Sequence, residues 1–262
     1  MTALKKSNAI SRFDSSQVVL QQPESGFVTL AQAVPSIVQD MRYGTPNNFT
    51  GQVVPGYEAP VAYVTVELAQ ALQQAQRKFL KQGLTLVVYD AYRPLQASRF
   101  FRAWAQEPET GATQKAYYPH LTRQQLFNDE WVVEYSSHCR GAAIDVTLAP
   151  VAFVSSEASS NVSVAQVNKL QPSSGRETRE TLDMGTDFDY FDERSFTDHQ
   201  ALSKEVQANR QLLKSVMTAC GLINLPTEWW HYMLAEEPYP TTYFDWPIRP
   251  TVNDHSLSQN AG

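Results

Sequence analysis

The predicted fold is decided by Ser136-Ser137-His138-Cys139-Arg140-Gly141-Ala142-Ala143-Ile144-Asp145. Gly141 predicts a bend, and residues 143–148 then alternate in the way that a β-strand requires. On that strand Asp145 shares a face with small residues, which leaves room for a ligand. His138 lies seven residues before Asp145, so a tight turn at the glycine can bring both side chains toward one point.

Helices and further strands are predicted on both sides of this bend. Apolar side chains recur at helical spacing over residues 65–82, 95–106 and 203–220. A shorter helix is expected after Thr122, because Thr122-x-x-Gln125 is a capping box. Runs rich in β-branched or aromatic residues predict strands over residues 84–89, 130–135 and 229–234.

The order of these elements predicts an α+β domain with a central antiparallel sheet and flanking helices. Helices and strands alternate, but the second half of the chain pairs strands that are close in sequence. We assign this domain to residues 28–250, between a loosely ordered arm over residues 1–27 and a frayed tail over residues 251–262. A surface insertion is predicted at about residues 151–181, which are rich in Ser, Asn, Gln and Thr.

Composition argues against several classes of function. The chain has 262 residues and a net charge of −6 with no basic block, so no nucleic-acid partner is expected. No apolar run approaches the roughly 20 residues of a membrane helix. No apolar stretch follows Lys5 and Lys6, so neither a membrane span nor a signal peptide is expected. Two cysteines are too few for a disulfide framework, which favours a cytoplasmic location. The sequence predicts no particular oligomeric state.

A second motif, Glu228-Trp229-Trp230-His231, completes a candidate metal site with His138 and Asp145. Together the two motifs supply two imidazoles, one carboxylate ligand and one spare carboxylate. That is the minimum set for a catalytic zinc with an open coordination position and a nearby base. The alternative interpretation is structural, because Glu228 and His231 could belong to an edge strand with two core tryptophans.

Three other residues near these motifs allow more than one interpretation. Arg93 is held at a strand-to-helix corner by Pro94, and it serves either the chemistry or an ion pair with a surface acid. Ser136 lacks the Gly-x-Ser-x-Gly setting of a nucleophile and could be a turn residue only. Cys139 is expected to pack away from the site, because adjacent side chains point apart.

The two motifs, written Ser-x-His-x-x-Gly-x-Ala-x-Asp and Glu-Trp-Trp-His, resemble those of the D-alanyl-D-alanine dipeptidase family, the VanX-type zinc peptidases. These peptidases are related to D,D-carboxypeptidases and to the Hedgehog amino-signalling fold, so the resemblance implies a Hedgehog/D,D-peptidase-like fold. It covers about residues 40–247, and other short segments match in the family order. Two of these segments are Asn48-Phe49-Thr50-Gly51 and Asp90-Ala91-Tyr92-Arg93-Pro94.

The resemblance implies a zinc metallopeptidase that hydrolyses D-alanyl-D-alanine, with a small dipeptide as its partner. It assigns one zinc ion per chain to His138, Asp145 and His231. It makes Glu228 the general base and later the acid, and Arg93 the group that stabilises the oxyanion.

Four further residues match positions that surround the dipeptide in the family, the last of them near its ammonium group: Tyr43, Tyr57, Ser136 and Asp189.

Two other functions remain open from the sequence. A related murein D,D-carboxypeptidase or endopeptidase would act on longer peptides and would favour export. A catalytically silent zinc-binding module would predict a missing acid or arginine, whereas Glu228 and Arg93 are both present.

Overall fold

The computed structural model describes residues 18–21, 23, 25–151 and 181–250. Most of the predicted N-terminal arm and the whole predicted tail lie outside the described residues. The predicted insertion also lies outside them, apart from its two end residues. The division into arm, domain, insertion and tail therefore stays a prediction.

The described residues form a mixed α/β structure of short strands, six α-helices and three single 3-10 turns. The helices, α1 to α6, are Leu30–Ala33, Val66–Leu80, Leu95–Gln106, Gln114–Tyr117, Arg123–Asn128 and Lys204–Thr218. The strands, β1 to β9, are Val18–Val19, Phe27–Thr29, Val38–Gln39, Tyr63–Thr65, Leu84–Asp90, Ala143–Pro150, Leu222–Asn224, His231–Leu234 and Tyr243–Phe244.

Helices α2, α3 and α6 confirm the three helices that apolar spacing predicts. Side-chain caps fix two of their starts: Thr65 Oγ1 accepts from the backbone N–H of Leu68, and Ser203 Oγ accepts from that of Val206. Helix α5 begins at the predicted capping box. No helix in the described part of the chain combines the length and the apolar content that a membrane crossing requires.

The central sheet has five strands in the order β3-β5-β6-β8-β7. Strands β5, β6, β8 and β7 pair antiparallel, but β3 runs parallel to β5, so the sheet is mixed. The prediction of an antiparallel sheet is therefore wrong at this edge. The connection from β3 to β5 includes helix α2, and a helical crossover is what lets neighbouring strands run parallel.

Two predicted strands differ from the structure. Residues 130–135 form turns and bends, because Val132 N donates to Leu126 O at 2.9 Å and folds the segment back onto the end of α5. The strand predicted from residue 229 begins at His231 instead. The residues before it form a turn, in which His231 N donates to Glu228 O at 3.3 Å.

Strand register brings three polar residues of the sheet into one row. Asp90 at the end of β5 pairs with Asp145 on β6, and Asp145 pairs with His231 on β8. Neighbouring strands lie about 4.8 Å apart, so side chains at paired positions are within reach of one another. Three residues that are distant in sequence thus meet at one end of the sheet.

An aromatic cluster packs beside this row. Neighbouring rings in it lie 4.9 to 6.1 Å apart between centroids, and its members are Tyr43, Phe49, Phe101 and Phe188. Aromatic pairs at such distances add about 0.5 to 1.5 kcal/mol beyond the burial of their surface. The cluster therefore forms a rigid wall next to the polar row.

Gly141 is required by the bend, and we expect Gly141→Ala to destabilise the fold by about 2 to 4 kcal/mol. Gly141 has φ of 70°, which only glycine adopts without strain. A Cβ atom there would lie 2.4 Å from the Phe27 ring, which packs against several other aromatic rings. Urea unfolding of both proteins measures the loss.

Gly83→Ala is the matched control for this substitution. Gly83 has φ of 71°, but a Cβ atom there would meet nothing within 4 Å. Gly83→Ala should lower the free energy of unfolding only by the backbone strain, about 1 kcal/mol. The difference between the losses of the two variants is then due to the collision with Phe27. Equal losses for both variants would contradict the steric argument.

Candidate metal centre and active site

Three buried side chains converge at the end of the polar row. His138 lies on a single 3-10 turn, Ser137–Arg140, which Ser136 caps, whereas Asp145 and His231 come from the paired strands β6 and β8. His138 Nε2 lies 3.1 Å from His231 Nδ1 and 3.3 Å from Asp145 Oδ2. His231 Nδ1 lies 3.1 Å from Asp145 Oδ1. Two imidazole nitrogens and a carboxylate thus form a tight triangle.

This triangle has the dimensions of a metal site. Ligand atoms bound tetrahedrally at about 2.0 to 2.1 Å are separated by about 3.3 Å. The two nitrogens of the triangle are 3.1 Å apart, and each lies 3.1 to 3.3 Å from one of the two Asp145 oxygens. All three residues are buried, and each offers one ligand atom within 4.8 Å of the others. The other ring nitrogen of His138 is also engaged, because its Nδ1 lies 2.6 Å from the carbonyl oxygen of Ala91. Such a bond fixes the ring of a metal-binding histidine.

The charges of the triangle suit a cation. Burial alone would raise the pKa of the Asp145 carboxyl, but the charges and hydrogen bonds of His138 and His231 outweigh burial and hold that pKa well below its usual range. Burial lowers the pKa of His231, and the hydrogen bond and charge of Asp145 outweigh it, so the pKa of His231 is raised. The ionised carboxylate favours a divalent metal, which would have to displace the proton that the raised pKa of His231 favours.

Glu228 lies beside the triangle without being part of it. Its Oε2 is 3.9 Å from His231 Nδ1, further than the distances within the triangle, and its side chain is 12% exposed. Glu228 sits in the turn before β8. The structure thus brings the spare carboxylate next to the candidate metal ligands, as the sequence interpretation requires.

Arg93 completes the positive side of the site. Its Nε donates to Asp90 Oδ2 at 2.9 Å, and its Nη2 forms an ion pair with the same oxygen at 2.8 Å and lies 3.8 Å from Asp145 Oδ2. Its guanidinium also stacks over the rings of Tyr43 and Phe101. Burial lowers the pKa of Arg93, but the charge of Asp90 outweighs it, so the pKa rises well above its usual value. The alternative of an ion pair with a surface acid is wrong, because the partner is the buried Asp90.

Asp90 is a site residue that the sequence interpretation quoted but did not assign. Besides binding Arg93, its carboxylate accepts a hydrogen bond from the Tyr57 hydroxyl at 2.6 Å and lies 3.4 Å from His138 Nδ1. Ser137, whose Oγ is 3.5 Å from His231 Nε2, was also missed. An acid at the end of a strand, three residues before an arginine, was the one available signal for Asp90.

The four candidate substrate residues fall into three settings. The Tyr43 hydroxyl donates to Asp189 Oδ2 at 2.8 Å, so these two meet beside Arg93. Tyr57 is engaged with Asp90. Ser136 Oγ accepts from the backbone N–H of His138 at 3.2 Å, which makes it the cap of the turn that carries His138. The structure thus brings two of the four residues, Tyr43 and Asp189, together. Tyr57 instead bonds to Asp90, and Ser136 bonds to the turn that carries His138.

Asp189 is held in an unusual environment. Burial raises the pKa of its carboxyl well above the usual range, and repulsion from Asp145 adds to this, whereas the hydrogen bond from Tyr43 and the charge of Arg93 oppose it. Its backbone also has φ of 59°, which a residue other than glycine adopts at a cost. Strain and burial at one residue are typical of functional sites.

Comparison with known proteins gives one consistent result. The sequence pattern of the family described as D-ala-D-ala dipeptidase matches residues 23–153 and 151–249. A D-alanyl-D-alanine dipeptidase of Enterococcus faecium is 36% identical over 226 residues, which cover 86% of this chain and 100% of the relative. One from Streptomyces coelicolor is 36% identical over 222 residues, 85% of this chain and 98% of the relative. One from Escherichia coli is 28% identical over 212 residues, 80% of this chain and 84% of the relative.

Proposed function

The chain belongs to the D-Ala-D-Ala dipeptidase family and is a peptidase, and from this premise we propose that it hydrolyses D-alanyl-D-alanine with one zinc ion per chain. One observation carries the proposal: two buried imidazole nitrogens lie 3.1 Å apart, each lies within 3.3 Å of a carboxylate oxygen of Asp145, and the Glu228 carboxylate is beside them. The family relationship further supports assigning the mixed sheet and its helices to the Hedgehog/D,D-peptidase type of fold.

His138, Asp145 and His231 would hold the zinc ion. Three protein ligands leave a coordination position free, which is typical of catalytic rather than structural zinc. When bound there, zinc would lower the pKa of a water molecule and would polarise the peptide carbonyl.

Glu228 is the proposed general base. It takes a proton from the attacking water on a carboxylate oxygen and then passes it to the nitrogen of the leaving D-alanine. Its position next to the ligand triangle, but outside it, supports this role. A positioned acid or base of this kind contributes about 10²- to 10⁴-fold in rate.

Arg93 is the proposed partner of the oxyanion. Its guanidinium is fixed by a hydrogen bond and an ion pair to Asp90 and by two aromatic rings, so it keeps its direction without reorganising during the reaction. A fixed cationic donor placed where negative charge develops contributes about 10²- to 10³-fold. Asp90 acts through Arg93 and Tyr57 in this scheme.

Asp189 is the proposed receptor of the free ammonium group, with Tyr43 orienting its carboxylate. A buried carboxyl with a raised pKa gains most from a cation, because a positive partner offsets the cost of its burial. A site of this kind distinguishes a dipeptide from a longer chain by the charge of the first amine. Tyr57 and Ser136 support the substrate pocket through Asp90 and through the turn of His138.

We expect the purified enzyme to hydrolyse N-acetyl-D-alanyl-D-alanine at least about 100-fold less efficiently than the free dipeptide, measured as kcat/KM. Acetylation removes the ammonium charge and leaves the Asp189 carboxyl buried without its partner. The Asp189→Asn variant is the matched control, and in it the preference for the free amine should largely disappear.

The substrate panel also separates the competing functions. Equal turnover of the free and the acetylated dipeptide would contradict the dipeptidase proposal and favour a carboxypeptidase that acts on longer peptides. Stoichiometric zinc with no turnover of either substrate would instead favour a silent zinc-binding module. Metal content is measured on the same preparation.

A further inference from the structure

We propose that Arg210 on α6 is a positioning residue for substrate recognition, because it closes the loop that carries Asp189. We call residues 184–196 the Asp189 loop. This inference rests on the proposed function, since it assigns Arg210 an effect on the binding of the substrate ammonium group through Asp189.

Arg210 ties together both ends of the Asp189 loop. Its guanidinium donates three hydrogen bonds to backbone carbonyl oxygens at 2.7 to 2.9 Å, those of Met184, Arg194 and Phe196. The first carbonyl lies where the loop begins and the other two where it ends. The planar fork of an arginine can hold several acceptors in one fixed geometry, which an ammonium group cannot do.

The setting of Arg210 points to a role in holding the backbone. Arg210 is 1% exposed, and within the described residues each of its hydrogen bonds goes to a carbonyl oxygen. Burial lowers its pKa to about 10, against a partial opposing effect of Asp183. A buried cation is costly unless its donors are satisfied, so the loop carbonyls are the groups that compensate it.

The same arrangement connects the Asp189 loop to the turn that carries Glu228. Trp229, the next residue after Glu228, donates from Nε1 to Thr186 Oγ1 at 2.8 Å and from its backbone N–H to Ser195 O at 3.1 Å. The Arg210 guanidinium lies 5.9 Å from the centroid of the Trp229 ring. Arg210 therefore packs behind the place where the Asp189 loop meets Trp229.

The backbone of Asp189 explains why the ends of its loop have to be fixed. With φ of 59°, Asp189 is in a left-handed conformation that persists only where the surroundings determine it. Releasing one end of the loop lets this residue relax, which moves its carboxyl away from Tyr43. The substrate ammonium group then loses its partner, whereas the metal ligands on β6 and β8 are unaffected.

Arg210→Lys tests the inference, because it keeps the charge but loses the fork. We expect KM for D-alanyl-D-alanine to rise by about tenfold or more, with kcat within about threefold of wild type and an unchanged metal content. In an Asp189→Asn background the same substitution should leave KM within about twofold, because the group through which it acts is gone.

Arg123→Lys is the matched control for a buried arginine. Arg123 is 6% exposed, stacks over Trp104 and pairs with Glu107, away from the Asp189 loop. It should lower the melting temperature and leave KM unchanged. A rise in KM for Arg210→Lys that persists in the Asp189→Asn background, or a loss of stability with KM unchanged, would overturn the inference.

A second variant covers the case in which Arg210→Lys does not fold. Thr186→Val removes the acceptor for Trp229 and loosens the same loop, so it has to raise KM in a manner that depends on Asp189. An unchanged KM would overturn the inference.

The wild-type enzyme is assayed first. Absence of dipeptide hydrolysis by the wild type refutes the proposed function, whereas the variants are compared only with an active wild type.

Discussion

Replacing Glu228 with Gln lowers kcat for D-alanyl-D-alanine by about 10²- to 10⁴-fold and leaves the metal content at the wild-type level. Gln keeps the size and polarity of the side chain but cannot accept a proton from the attacking water. Because Glu228 Oε2 lies 3.9 Å from His231 Nδ1, outside the ligand triangle, its loss should not weaken metal binding. Steady-state kinetics and atomic emission on the same sample measure both quantities.

Glu236→Gln is the control for this substitution. Glu236 lies just after β8, at the opposite end of that strand from Glu228, and is exposed, so the same chemical change there should leave kcat within about twofold. A Glu228→Gln enzyme with near-normal kcat would remove Glu228 from the reaction. Loss of metal along with activity would instead make Glu228 a ligand, contrary to the geometry.

Helices α2, α3, α5 and α6 could be predicted because their signals are local. The caps at Thr65 and Ser203 and the box at Thr122 each act within one turn, so a short window of sequence contains the whole cause. The parallel pairing of β3 with β5 could not be predicted in this way, because β3 has only two residues and its partner lies beyond a helix. The strand prediction for residues 130–135 failed for a related reason, because their backbone hydrogen-bonds to the end of α5.

The residues of the candidate site were predicted from motifs, but the register of the paired strands decides whether they lie close together. His138 and Asp145 are linked by one tight turn, which the sequence indicates directly. That Asp90, Asp145 and His231 form one row follows from the pairing of β5, β6 and β8, and a shift of one residue would turn a side chain to the other face. Arg210 could not be found from sequence, because its partners are backbone carbonyls, which have no residue signature.

Replacing His231 with Ala removes one of the three proposed metal ligands, and we expect the affinity for zinc to fall by more than about 100-fold, with loss of turnover. The remaining His138 and Asp145 cannot close the triangle, and Asp145 loses a hydrogen-bond partner at 3.1 Å. Metal per chain after extensive dialysis measures the change. His120→Ala is the control, because His120 has 72% of its side chain exposed and should keep the wild-type metal content.

The loss of metal by His231→Ala has a second readout that does not depend on activity. A ligand that binds only the folded protein stabilises it by about 2.7 kcal/mol when present at 100 times its dissociation constant. Adding zinc to the metal-free wild type should therefore raise its melting temperature, whereas zinc should leave the His231→Ala variant unchanged. Because the three proposed ligands come from a turn and two strands, a bound cation would link all three elements. An equal rise for the variant and the wild type would mean that the metal binds elsewhere, and the peptidase mechanism built on this triangle would have to be abandoned.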